Sequence, residues 1–106
     1  MQDIRESDWK VLRGLADVAM KRFFTETLRE ADEKLRDTSG DSRERFWRVH
    51  SMMMERRKEA AELFDELSRS KARIRLMMMR SRGLITYDEM KDFSAELAAW
   101  IDQLDG

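Results

Sequence analysis

From Phe46 to Met77 the chain places Phe46, Val49, Met53, Ala60, Leu63, Leu67, Ile74 and Met77 at steps that alternate between three and four residues. Arg56 and Ser70 fill the two remaining positions of the stripe. That alternation keeps side chains on one face of a helix, and no proline anywhere in the chain interrupts it. The pattern predicts a single helix over about 42–82, roughly 60 Å long at 1.5 Å per residue. Its weakest point is Ser68-Arg69-Ser70, where polar residues cross the stripe.

Two further helices flank this rod. The first, about 7–36, carries Trp9, Leu12, Ala16, Ala19, Phe23, Leu28, Ala31 and Leu35; the last, about 87–104, carries Met90, Phe93, Leu97, Trp100 and Leu104 at heptad positions. The breaks between them have local causes. Gly40 can take positive φ, and Asp41 followed by Glu44 has the form of a capping box. Gly83 suits a left-handed helix end, with Thr86 and Glu89 forming a second box. Both loops are short, so neighbouring helices run antiparallel. The expectation is one all-α domain of three helices, a long antiparallel hairpin with a shorter third helix. The three share a core at the end holding Trp9, Ile74 and Phe93.

The methionines repeat. Arg48 to Arg57 reads RVHSMMMERR and Arg73 to Arg82 reads RIRLMMMRSR, so two triplets lie 25 residues apart. On an unbroken helix that spacing returns to within roughly 20° of the same direction. Each triplet fans over about 200°, so only part of it can face a neighbour. Met53 and either Met77 or Met78 are the expected core members, with the flanking arginines laying their stems along the seam. Two functional readings compete with core filling. Copper(I) needs converging thioethers, which consecutive helical methionines do not supply, whereas an adaptable methionine groove for peptides fits better.

Near neutrality conceals an uneven charge distribution. Residues 42–82 hold twelve Lys or Arg against six acids, and residues 83–106 hold one Lys against six acids. The basic run makes nucleic acid the alternative partner, through Arg69, Arg73 and Arg80. These share only one flank of the helix, however, while Lys71, Arg75 and Arg82 take the other, so they form no single phosphate-tracking patch. The sequence therefore favours a basic helix held by acids of the last helix, with Asp88, Asp92 and Glu96 as partners. There is no cysteine, no charge-free stretch long enough for a membrane span and no signal peptide pattern, which leads to the expectation of a soluble cytoplasmic protein.

Chemistry-bearing motifs are missing. His50 is the one histidine and sits at the edge of the stripe; a ferritin-type centre would need paired Glu-x-x-His motifs, and position 47 is Trp. A metal or haem carrier based on His50 and the methionines ranks behind the other readings, and no catalytic residue, metal or cofactor is expected. What remains is apolar surface. Around the Gly40 loop only two helices are present, yet that end carries a broad apolar face, with Trp47, Met54 and Ala61 about 100° from the main seam. Phe24, Leu28, Phe46, Trp47, Val49, Met53 and Met54 are thus the expected interface of a homodimer with four-helix packing across a two-fold axis. The expected function is a small non-enzymatic interaction or scaffold module, in contact with its own copy or another protein. The alternative is a nucleic-acid-associated regulator.

Asp8-Trp9-Lys10, the helix opening Arg43 to Phe46, the turn Gly83-Leu84-Ile85-Thr86 and the stretch Phe93-Ser94-Ala95-Glu96-Leu97 together resemble a group of small bacterial all-helical proteins with no settled activity. The resemblance implies a bacterial, cytoplasmic origin and the hairpin-plus-helix fold. It supplies no functional residues.

Overall fold

The computed structural model describes residues 3–105. They are helical throughout their regular structure, but in five α-helices: α1 Glu6–Arg36, α2 Ser42–Phe64, α3 Ala72–Ser81, α4 Tyr87–Met90 and α5 Ala95–Asp105, with a 3-10 turn at Arg69–Lys71. The molecule is elongated, 53 × 25 × 22 Å. α1 and α2 form the expected antiparallel hairpin, closed by Gly40 at φ 84° and by Asp41, whose carboxylate accepts the Glu44 N–H at 2.8 Å. The remaining helices pack near the N-terminal half of α1, so one end is a compact core and the other is a bare pair of helices.

The rod expected over 42–82 is broken. α2 ends at Phe64, Asp65 turns extended, and Glu66 adopts φ 55° before the chain resumes as a 3-10 turn at Arg69. The break lies at and just before the polar Ser68-Arg69-Ser70 stretch. Its compensation is burial: turning the chain brings Ala72, Leu76 and Met79, all fully buried, into one cluster with Leu12, Ala19 and Phe23 of α1. At about 25 cal/mol per Å² of apolar surface, three such side chains outweigh one unfavourable backbone conformation. The same turn rotates α3 away from the expected phase. Ile74 is consequently exposed instead of joining Trp9 and Phe93 in the shared core.

The second methionine triplet is affected in the same way, and the first also departs from the expected phase. Met52 and Met79 are the buried members, while Met53 is 40% exposed and Met77 and Met78 are partly buried. One residue of helical rotation, about 100°, separates Met52 from Met53. Because the chain breaks between the triplets, their 25-residue spacing carries no common face.

The expected third helix is also two pieces. Met90, Phe93 and Leu97 are buried as the heptad requires, and Ile101 is fully buried where Leu104 stays exposed. What stops the helix between α4 and α5 is Ser94, whose hydroxyl accepts the Leu97 N–H at 3.3 Å as an N-cap. Asp8, only 2% exposed in the first turn of α1, holds that cap: one carboxylate oxygen accepts the Ser94 N–H at 2.7 Å and the other accepts the Ser94 hydroxyl at 2.7 Å. A helix start 86 residues away in sequence is thereby fixed to α1.

The turn at Gly83 closes α3 as expected. Gly83 has φ 80°, its N–H reaches the Arg80 carbonyl and the Leu84 N–H reaches the Met79 carbonyl, both at 3.0 Å, with Leu84 and Met79 buried together. This is a Schellman ending with its apolar contact. Thr86 and Glu89 complete a capping box. Arg22 of α1 clamps the whole turn, donating to the Glu89 carboxylate at 2.6 and 2.9 Å and to the Leu84 carbonyl at 2.9 Å. The Arg22 guanidinium, aided by the Thr86 donors, holds the Glu89 carboxyl down at about 2. A depressed folded-state value means that this stability is present above the ordinary glutamate range near ~4.3 and is lost as pH falls from there toward about 2. Thermal unfolding from pH 5 to pH 2 reads the effect. Glu89→Gln is expected to lose about 1–2 kcal/mol at neutral pH, after allowance for solvent screening, and to flatten the acid limb of that profile.

Candidate functional site

The hairpin tip is built by arginines. Arg45 donates to the Leu35 carbonyl at 3.0 Å, and Arg48 donates to the Ser39 carbonyl at 3.0 Å while pairing with Asp37 at 3.2 Å. The Arg45 bond satisfies a carbonyl in the last turn of α1, where the helix leaves acceptors without internal partners, and Arg48 satisfies one in the loop beyond it. Asp37 is held below the usual aspartate range by the Ser39 hydroxyl and N–H, with Arg48 adding to them. The loop is thus tied to α2, and the side chains beside it are presented on a fixed frame.

On that frame an aromatic trio stands in the open. Phe46 and His50, one helical turn apart, stack with centroids 5.8 Å apart at 18°, and Trp47 meets both edge-on at 5.3 Å. Phe46 is 61% exposed and Trp47 51%. A groove of about 340 Å³ opens beside them, lined by Lys34, Leu35, Ser42, Arg45, Phe46, Val49 and His50. Further along the hairpin, a second groove of about 230 Å³ is lined by Phe24, Thr27, Leu28, Met53, Arg56, Arg57 and Ala60. Phe24, Leu28 and Leu35 on α1, with Phe46, Val49 and Met53 on α2, recur at helical intervals, so both grooves belong to one side of the hairpin. Trp47 and Met54 extend it around the outer edge of α2.

The interface residues read from the sequence therefore share a surface. Phe24, Leu28, Phe46, Trp47, Met53 and Met54 are all exposed, Leu28 most of all at 65%, and Val49 is half-buried among them. Leu35 at 58% was placed in the stripe of α1 but belongs to this exposed set.

Arg56, the polar interruption in the stripe, has a structural role. It grips Glu30 of α1 with two bonds of 3.0 and 3.1 Å, and Arg82 does the same to Glu59 at 3.0 and 3.3 Å while lying over the Phe23 ring. Glu26 approaches Arg82 at 3.6 Å. The Arg56 bond lowers the Glu30 carboxyl below its ordinary value, and Glu30 in return raises the arginine. This ladder ties α1, α2 and α3 together. The acids that hold the basic segment thus differ from those expected: Arg82 uses Glu26 and Glu59, whereas Glu96 meets Arg5 at 3.0 Å and Asp88 meets Lys91 at 3.2 Å.

The three arginines considered for nucleic acid serve three separate segments. Arg69 donates to the Ile4 carbonyl at 2.8 Å, Arg73 lies 4.9 Å from the Trp100 ring centroid, and Arg80 donates to the Ile85 carbonyl at 2.8 Å. They secure the N-terminal strand of chain, α5 and the Gly83 turn, and they do not converge. Among the described residues no group of three or more His, Cys, Asp or Glu is placed to hold a metal ion, and no helix is long and apolar enough to cross a membrane.

The residue that sequence reasoning missed is Asp8. Ser94 ahead of Ala95-Glu96-Leu97 has the form of an N-cap and could have been found; that its anchor lies in the first turn of α1 has no local signal. No protein-family model matches the chain, and no curated protein or solved structure is detectably similar to it.

Proposed function

We propose that this chain is a small non-enzymatic interaction or scaffold module that works as a homodimer, joined through the open face of its hairpin. The observation that carries this reading is the extent of apolar exposure at one end of the molecule. Phe24, Leu28, Leu35, Phe46, Trp47, Met53 and Met54 are between 40% and 65% exposed. Given side chains of this size, they present on the order of 800 Å² of apolar surface, above the roughly 300–600 Å² of the largest patch on a typical monomer. It also matches the ~800 Å² that each partner contributes to a standard interface. A second hairpin laid on the first supplies two more helices and completes a four-helix arrangement, in which each copy covers the same patch of the other.

The exposed side chains are anchored on helices that the Arg45, Arg48 and Arg56 contacts hold in place, so the surface is preformed. Preformed anchors lose little conformational freedom on association. Sedimentation equilibrium of the purified protein from one to one hundred micromolar tests the reading. A mass of two chains at the upper end supports it, and a single-chain mass throughout removes it. Arg69, Arg73 and Arg80, each engaged within its own chain, offer little to the alternative role at nucleic acid.

A further inference from the structure

We infer that the Asp65–Lys71 linker is an exchange hinge, through which two copies of this chain swap their α3–α5 units to form an intertwined dimer. This goes beyond the face-to-face dimer and does not rest on it. The first observation is local. Glu66, at φ 55°, is the only non-glycine residue with positive φ among the described residues, and the linker around it, Asp65-Glu66-Leu67-Ser68-Arg69-Ser70-Lys71, holds neither glycine nor proline. A side chain in the left-handed region is strained, and every residue of the linker is able to continue a helix instead. The compact chain thus keeps its turn against local preference, and the turn survives because α3 gains buried contacts.

Those contacts do not depend on which chain supplies α3–α5. Asp8 caps Ser94, and Arg22 clamps Glu89 and the Leu84 carbonyl. Each bond joins residues more than sixty positions apart and forms identically between two copies. Exchange therefore preserves these contacts and alters only the linker and its own ties, Arg69 to the Ile4 carbonyl and Leu67 against the core, the condition under which domain swapping has a low cost.

The second observation is in the pattern. The alternation Ala60, Leu63, Leu67, Ser70, Ile74, Met77 passes through the linker without a slip, although in the compact chain the turn separates its two halves and leaves Ile74 45% exposed. With the linker opened into helix, Leu63, Leu67, Ile74 and Met77 come onto one face. In an exchanged dimer two such segments lie near the two-fold axis, where Ile74 gains cover that it lacks in the compact form; Leu63 is already buried there, and Leu67 and Met77 already pack on the core. Strain relief at Glu66 and cover for Ile74 both favour exchange; the loss of independent motion opposes it, so concentration decides.

The chain has no cysteine, which makes the test direct. Chains carrying Asp8→Cys and chains carrying Ser94→Cys are mixed, unfolded, refolded together at hundreds of micromolar and oxidised. An interchain disulfide between the two variants is expected, because α5 of one chain then sits on α1 of the other. Trp47→Asp in both chains should leave that cross-link in place, which separates exchange from face-to-face association. Glu66→Gly, which removes the strain and disfavours the continuous helix, should lower the cross-linked fraction about tenfold. A second measurement needs no cysteine: Trp47→Asp protein refolded at the same concentration should contain a slowly dissociating dimer that Glu66→Gly diminishes. If that preparation holds only single chains, or if no disulfide forms between the Asp8→Cys and Ser94→Cys chains, the exchange is overturned.

Discussion

Trp47→Asp weakens association of the native protein by at least about 100-fold while leaving its helix content and melting temperature within error of the wild type. The two halves of that expectation have separate causes. Trp47 is half exposed in the single chain, with its ring edge-on to the exposed Phe46 and His50, so its loss removes little from the folded monomer. In the proposed dimer the two-fold axis would place two new carboxylates in an apolar contact, where each either stays charged without a partner or takes up a proton at a cost. Large aromatic residues at such centres commonly carry 2 kcal/mol or more, and the symmetry counts the change twice. Tyr87→Asp is the control. Tyr87 is 65% exposed at the start of α4, off the hairpin, and its replacement should leave association unchanged. Sedimentation velocity of the three proteins gives the comparison.

Asp8→Ala has the largest expected effect on the fold, about 3 kcal/mol. The buried carboxylate satisfies both the Ser94 N–H and its hydroxyl. Removing it leaves two donors unpartnered in a part-buried junction and releases the start of α5 from α1, each loss being of the order of 1–2 kcal/mol. For a domain whose whole stability is expected at about 5–15 kcal/mol, that is a large share. Asp8→Asn keeps an acceptor for the backbone N–H and should lose roughly half as much. Chemical denaturation reads both variants, and hydrogen exchange should show the α5 amides opening first.

Much of the architecture was legible because its signals are local. The hairpin follows from the phase of apolar residues on α1 and α2, and its loop from Gly40 with Asp41. The Gly83 turn and the Thr86 box were read correctly for the same reason, since each feature lies within a few residues of its cause. The break after Phe64 was legible only as a weak point at Ser68-Arg69-Ser70, and its place and left-handed turn were not. Asp65 to Lys71 contains no helix breaker, and Glu66 takes its conformation only because Ala72, Leu76 and Met79 find a buried position against α1. Met79 was missed through the same long-range effect, whereas Met52 lies one residue of helical rotation from the expected Met53. The division between α4 and α5 depended on Asp8, eighty-six residues from the cap it holds.

The exposed apolar side chains of the hairpin were more accessible to sequence reasoning than the core. Phe24, Leu28, Phe46, Trp47, Met53 and Met54 follow from a mismatch between the width of the apolar stripe and the number of helices available to cover it at the Gly40 end. Shortening the rod does not remove that mismatch, because only α1 and α2 reach the tip. The pairing of basic residues with acids was misassigned. Arg56 reaches Glu30 across the hairpin and Arg82 reaches Glu59 of α2 from the end of α3, a choice set by the packing of α1, α2 and α3 and not by the acidic composition of the last helices.

The mass of the wild-type protein in solution bears most directly on the central claim. Equilibrium sedimentation at tens of micromolar should return twice the chain's mass for the wild type and a single chain for Trp47→Asp purified without refolding. A wild-type protein that stays monomeric at one hundred micromolar would contradict the claim that this face is covered by a second copy.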